Sequence, residues 1–159
     1  MDGIWRDALL YNKWANLQIL ADCRELDQAQ LAIKAPGAYG SIADMLVHIL
    51  SAEQRYIRRL TGAEPNLNEK HEFPGVDRLI EHARHSGDAL LRAVESLRAD
   101  DSTQVDYDGR KVELPKSLIV VQAIHHGNDH RTQVGMILES NSIPHQEIDV
   151  WHYAMALQC

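Results

Sequence analysis

Ile119-Val120-Val121-Gln122-Ala123-Ile124-His125-His126-Gly127-Asn128-Asp129-His130-Arg131-Thr132-Gln133-Val134-Gly135-Met136-Ile137 is the stretch on which the reading of this chain turns. Ile119, Ala123, His126, His130, Val134 and Ile137 follow one another at steps of 4, 3, 4, 4 and 3. At about 100° per residue they fall within a sector of roughly 80°, the inward stripe of an amphipathic helix. That helix is expected to run from Lys116, behind Pro115, to about Ser140. Two histidines therefore occupy the middle of a buried stripe one turn apart, while His125 points nearly opposite.

Burying two imidazoles side by side is costly unless both find partners, because each ring keeps a polar nitrogen that needs satisfying. A divalent metal is such a partner, since side chains four residues apart on a helix converge on one ion. The alternative is a pair of core histidines, each satisfied by its own hydrogen bond. A metal also needs a third ligand, and the choices are His48, His71, His82, His85, His145 and His152. His82 and His85 point away from the apolar stripe of their own helix and read as solvated. His48 lies opposite the Leu46-centred apolar face of its helix, in a sector shared with Asp44, Ser51, Arg55 and Arg59. That sector is either a plain solvent side or the wall of a polar cavity, and periodicity does not decide between them.

Helical patterning extends outward from this segment. A first helix is expected over about Gly3–Leu26, with Ile4, Ala8, Tyr11, Ala15 and Ile19 on one face and Trp5 and Leu9 widening it. A second starts at Ser41, an N-cap with Asp44 in the capping-box position, and runs to about Leu60 before Thr61-Gly62 ends it. Residues 63–75 read as a polar connection. A third helix covers about Val76–Arg98. Residues 105–112 alternate around Asp108-Gly109, a hairpin signal. After the long fourth helix, the tail allows a short helix with Trp151 and Tyr153. The expected fold is all-α: one domain over residues 1–159, an up-down four-helix bundle with a short β-hairpin before the last long helix.

Composition narrows the function classes. The chain has 159 residues, 45% hydrophobic and 25% charged, with a formal net charge of −7. That charge argues against a nucleic-acid partner, whose phosphates demand cations. Apolar runs such as Leu118–Val121 fall far short of the roughly 20 residues that span a bilayer, so no membrane partner is expected. Met1-Asp2-Gly3-Ile4-Trp5-Arg6-Asp7 shows no basic region followed by an apolar block, so a cytoplasmic location is expected. The two cysteines, Cys23 and Cys159, are too few for a Cys-rich metal site, and neither has an adjacent base that would make it a nucleophile. Cys23 reads as a small buried hydrophobe.

Several segments together resemble the DinB/YfiT-like family of small metal-binding four-helix bundles. They are Tyr11-Asn12-Lys13-Trp14-Ala15-Asn16; Leu46-Val47-His48 with Glu53 five residues later and Leu60-Thr61-Gly62; the hairpin from Tyr107 to Pro115; the His126-Gly127-Asn128-Asp129-His130-Arg131 run; and the tail from Pro144 to Tyr153. Thr132 and His125 stand where many members carry Gly and Asn. The resemblance implies a three-histidine site of His48, His126 and His130, which takes the cavity-wall reading for His48. Three imidazoles suit one divalent transition metal, Zn²⁺ or Ni²⁺ above all. Relatives include enzymes that use low-molecular-weight thiols, so the resemblance implies a metal-dependent transferase. The ion would activate a small thiol for attack on an electrophilic small molecule, in a homodimer. A metal-dependent hydrolase and a non-catalytic metal-binding bundle are the alternatives. Arg55, Arg59 and Arg131 are either solvated or salt-bridged groups or candidate anchors for a carboxylate on a cosubstrate. Glu53 either orients a ligating histidine or pairs with a first-helix group such as Asn16 or Trp14. The homodimer expectation also rests on the wide apolar sector of the first helix, which a tail carrying Trp151 and Tyr153 would otherwise cover.

Overall fold

A computed structural model of the chain describes residues 3–158, so the expectations for Met1, Asp2 and Cys159 lie outside the described residues. The elements run α1 (Gly3–Asp22), α2 (Gln28–Leu31), α3 (Ile42–Thr61), α4 (Val76–Glu95), β1 (Ser102–Tyr107), β2 (Arg110–Pro115), α5 (Lys116–Ser140) and α6 (Val150–Ala156). Local chemistry sets most of these limits. Ser41 caps α3 in a reciprocal box, its Oγ accepting from the Asp44 amide while Asp44 accepts from the Ser41 amide. Gly62 ends α3 in the left-handed conformation at φ 83°, which costs a residue without Cβ little. Asp108 and Gly109 both take positive φ, 53° and 77°, so β1 and β2 pair antiparallel through a two-residue turn with Val105 opposite Val112. Two helices stop earlier than periodicity predicts, α1 at Asp22 and α4 at Glu95. The single turn of α2, boxed by Asp27 and Gln30, is too short to show a period.

The four long helices pack in a ring, α1 against α4 and α5, and α3 against α4 and α5. Their directions follow from the two apolar clusters of the core. One gathers Ile19 and Leu20 of α1, Ile42 to Leu50 of α3, Val76 to Ala83 of α4 and Val134 to Leu138 of α5. The other gathers Leu9, then Ala52 to Leu60, Leu90 to Val94, and Ile119 to Ala123. Helices α3 and α4 therefore run parallel, which departs from the alternating up-down order expected from the sequence. The physical consequence lies in residues 62–75. They must carry the chain back along the whole of α3 before α4 can begin, and they do so in contact with it. The Asn66 and Leu67 amides donate to Gln54, Glu69 meets His48, and Phe73 packs on the first cluster.

The hairpin closes the other end, with Val105 and Leu114 packed beside Ile119. Helix α6 returns to α1 and places Tyr153 against Tyr11 and Trp14, with ring centroids 5.9 and 5.4 Å apart. In the sector of α1 that prompted the homodimer expectation, Tyr153 covers Tyr11, and Leu9 and Trp5 pack in the second cluster, while Trp151 faces outward at 78% exposure. Among the described residues no helix is long and apolar enough to cross a membrane.

Candidate metal centre

His48 comes from the N-terminal half of α3, and His126 and His130 from the middle of α5, its neighbour in the ring. The structure brings all three together, with one ligand atom from each lying within 4.8 Å of the others. His48 Nε2 and His126 Nε2 are 3.0 Å apart. Nitrogens bound at zinc distances in a tetrahedron stand about 3.3 Å apart, so the spacing suits a shared ion. No fourth His, Cys, Asp or Glu among the described residues joins the group. Nδ1 of His130 is buried without a hydrogen-bond partner, an orphaned polar atom in a cluster of nitrogen donors.

Electrostatics favour the neutral ring that a metal needs. Burial, and then the nearness of His130 and His48, hold His126 down at about 4. His130 is lowered too, by burial first and by His48 second. Both therefore offer lone pairs at neutral pH.

The groups that hold His48 come from places the helical wheel does not reach. Glu69, on the crossover, accepts from His48 Nδ1 through Oε2 at 3.0 Å. The same carboxylate accepts from Tyr39 Oη at 3.1 Å, from Ser51 Oγ at 2.7 Å and from Arg55 Nη1 at 2.5 Å. Burial works to raise the Glu69 carboxyl, but hydrogen bonds from His48, Ser51 and Arg55 outweigh it and bring it down to about 2. Tyr39 lies flat on His48, ring centroids 3.8 Å apart, and edge-on to His130; its amide is tied to α5 through Gln133. Tyr56 meets His126 edge-on from the other side. Glu69 and Tyr39 were not picked out as functional residues from the sequence. Nothing in the polar run of residues 63–75 singles Glu69 out; the parallel α3–α4 order, visible only in the structure, is what carries that run past His48.

Other candidates sort differently. Arg55 belongs to the site through Glu69, and Arg59 sits 5.7 Å over the Tyr56 ring. Arg131 is corrected: it is buried inside the ring of helices and bonded to Asn12, Asn16 and Asn128, so it does not face the histidines as an anchor. Glu53 takes the second of its two readings, bonding Asn12 and Asn16 and no histidine. His125 is exposed, as is His85; His82 is half-buried against Gln54 and so differs from the solvated expectation. A second group, Glu147, Asp149 and His152, lies at the surface, where Asp149 caps α6 and holds His152 Nδ1 at 2.8 Å.

The DinB family model matches residues 4–154. The chain belongs to the DinB family. A crystal structure of a DinB-like protein from Bacillus cereus ATCC 10987, determined at 2.01 Å resolution, is similar at a TM-score of 0.70 and 20% identity. The match covers 91% of this chain and 95% of that one, and at such identity it speaks for the fold alone. No curated protein gives a significant match. In this DinB chain the structure gathers His48, His126 and His130 into a candidate metal centre, with Glu69 bonded to it through His48.

Proposed function

We propose that this DinB chain is a divalent-metal enzyme that activates a small external thiol for transfer to an electrophilic small molecule. Its frame is read as a four-helix bundle with the centre between α3 and α5. The observation that carries the proposal is the convergence of three imidazoles, with no fourth His, Cys, Asp or Glu among the described residues, the pattern of a site that keeps a position for a reactant. A bound zinc or nickel ion would supply there an electrophilic centre at which a thiol loses its proton near neutral pH.

The protein's part is positional. Glu69 holds the Nδ1–H of His48, which leaves Nε2 as the donor nitrogen toward His126. Tyr39 covers one side of the rings and Tyr56 another, limiting the approach of water. The nucleophile is not Cys23, which is wholly buried and whose thiol burial, with Asp22 nearby, pushes up to about 12. Cys23 is the one cysteine among the described residues, so the reading takes the thiol from outside.

A homodimer and a cytoplasmic location belong to the same reading. They are supported by the family resemblance and by composition. The exposed apolar side chains of Leu118, Val121 and Trp151 are surfaces that a second copy would bury.

The test is turnover of the metal-loaded protein on a panel of electrophiles with glutathione, bacillithiol or mycothiol. Activity is expected to require thiol, vanish on chelation, return with added zinc or nickel, and survive the Cys23→Ser, Cys159→Ser double substitution. Equal turnover without thiol would replace the transferase reading with a hydrolase. Turnover no higher than that of the metal-free protein, with every thiol, would leave a non-catalytic metal-binding bundle.

A further inference from the structure

Inside the ring of helices, level with the histidines, lies a polar network. Arg131 of α5 is 4% exposed and Glu53 of α3 is 3% exposed, and two amides from α1 bridge them. Arg131 donates through Nη1 to Oδ1 of Asn12, at 3.1 Å, and to Oδ1 of Asn16. The Nδ2 groups of the same asparagines donate to Glu53 Oε2 at 2.9 and 3.1 Å. Ser86 of α4 donates to the other oxygen of Glu53. All four long helices thus meet in one chain of hydrogen bonds, each amide turned with its oxygen to the cation and its nitrogen to the anion. The space is reserved for it: a Cβ on Gly127 would lie 2.7 Å from Arg131 Nη1 and 2.8 Å from Asn12 Oδ1.

The same two helices carry the histidine triad. On α5, Gly127 follows His126 and Arg131 follows His130. On α3, Glu53 comes five residues after His48, about 140° round the axis. Rotating either helix far enough to part the rings would pull Arg131 or Glu53 off its amides within an apolar interior, and an uncompensated buried charge is among the most destabilising defects. Sliding α5 by one residue would bring a Cβ to the place Gly127 leaves open.

We infer that the Arg131–Asn12/Asn16–Glu53 network is a positioning device for the histidine triad. It sets the rotation and register of α5 against α3 and thereby holds His126 and His130 at ligand distance from His48. The inference rests on reading the triad as a metal centre. Its role is separable from stability, because buried charge pairs replaced by apolar groups of similar volume often leave a fold as stable or more so.

The test uses the full chain carrying Glu53→Gln and Arg131→Met together. Circular dichroism is expected to match that of the parent, with the thermal midpoint lowered only by the Asn12 and Asn16 oxygens that Arg131→Met leaves without a donor. Cobalt(II), as the probe metal, is expected to bind about tenfold more weakly or worse, with an altered visible absorption spectrum. In the metal-free variant, cross-relaxation between the ring protons of His48 and His126 is expected to weaken. A folded variant with cobalt affinity within about twofold of the parent and the same spectrum overturns the inference. If the double variant does not fold, Asn16→Ala, which removes one bridge and keeps both charges, is judged by the same readouts. If the parent itself takes up no cobalt, the metal reading fails separately. The ring-proton contact in metal-free protein then decides alone: its loss in the variant supports the positioning role and its retention overturns it.

Discussion

Glu69→Gln should disarm His48 without disturbing the fold. The carboxylate receives four donors, His48 Nδ1 and Tyr39 Oη on Oε2, and Ser51 Oγ and Arg55 Nη1 on Oε1. A glutamine has one oxygen and one NH₂ for these four. Arg55 can only donate, so the amide oxygen takes the Oε1 place and the NH₂ turns toward His48. His48 Nδ1 must then accept, which moves its proton to Nε2, the nitrogen that faces His126 at 3.0 Å. The ligand is thereby held in the wrong tautomer. Loss of such a supporting partner lowers metal affinity by about 10–100-fold, equivalent to about 1.4–2.7 kcal/mol. A competitive titration of zinc against a chromophoric chelator measures this directly, with circular dichroism confirming the unchanged fold. Affinity within about twofold of the parent would refute the assignment of Glu69 as the residue that orients His48.

Further predictions concern acid, packing and assembly. His126 is depressed from 6.5 to about 4 and Glu69 from 4.5 to about 2, so for both groups the unfolded chain binds more protons at low pH. The stability each contributes is complete above its unfolded value and is lost as pH falls. The urea midpoint of metal-free protein should therefore drop from about pH 6.5 through 4 on account of His126, and further toward pH 2 on account of Glu69; a flat profile from pH 7 to 4 contradicts the burial of His126. Gly127→Ala should destabilise by about 1–3 kcal/mol, read as a lowered urea midpoint, because its Cβ would lie 2.7 Å from the Arg131 guanidinium. Sedimentation velocity at micromolar concentration should show a species of twice the 18.0 kDa chain mass, and a monomer alone removes the homodimer from the reading.

What the sequence discloses, and what it conceals, follows the range of the forces involved. Ser41 with Asp44, Gly62, Asp108-Gly109 and Pro115 act on their nearest neighbours, and the elements they bound are legible from them. His126 and His130 are legible because their spacing puts them on the apolar stripe of one helix. His48 is not, since its own helix turns it away from the Leu46 face; what buries it is Tyr39 and Glu69, brought in by two connections without any period. The family resemblance, and not the wheel, names it in advance. The Arg131 network was half visible. Asn12 and Asn16 are polar residues one turn apart on a buried face of α1, and Glu53 stands on the apolar face of α3. Arg131, beside two histidines, reads from its spacing as a solvated or paired surface group or as an anchor for a cosubstrate, because one-dimensional spacing does not show α1 closing over it.

Elemental analysis of the purified protein and its histidine variants tests the central claim most directly. The parent should carry about one zinc or nickel ion per chain. His48→Ala, His126→Ala and His130→Ala should each lose it, and His82→Ala and His85→Ala should keep it. Metal retained in full by the His48→Ala protein would contradict the three-histidine centre.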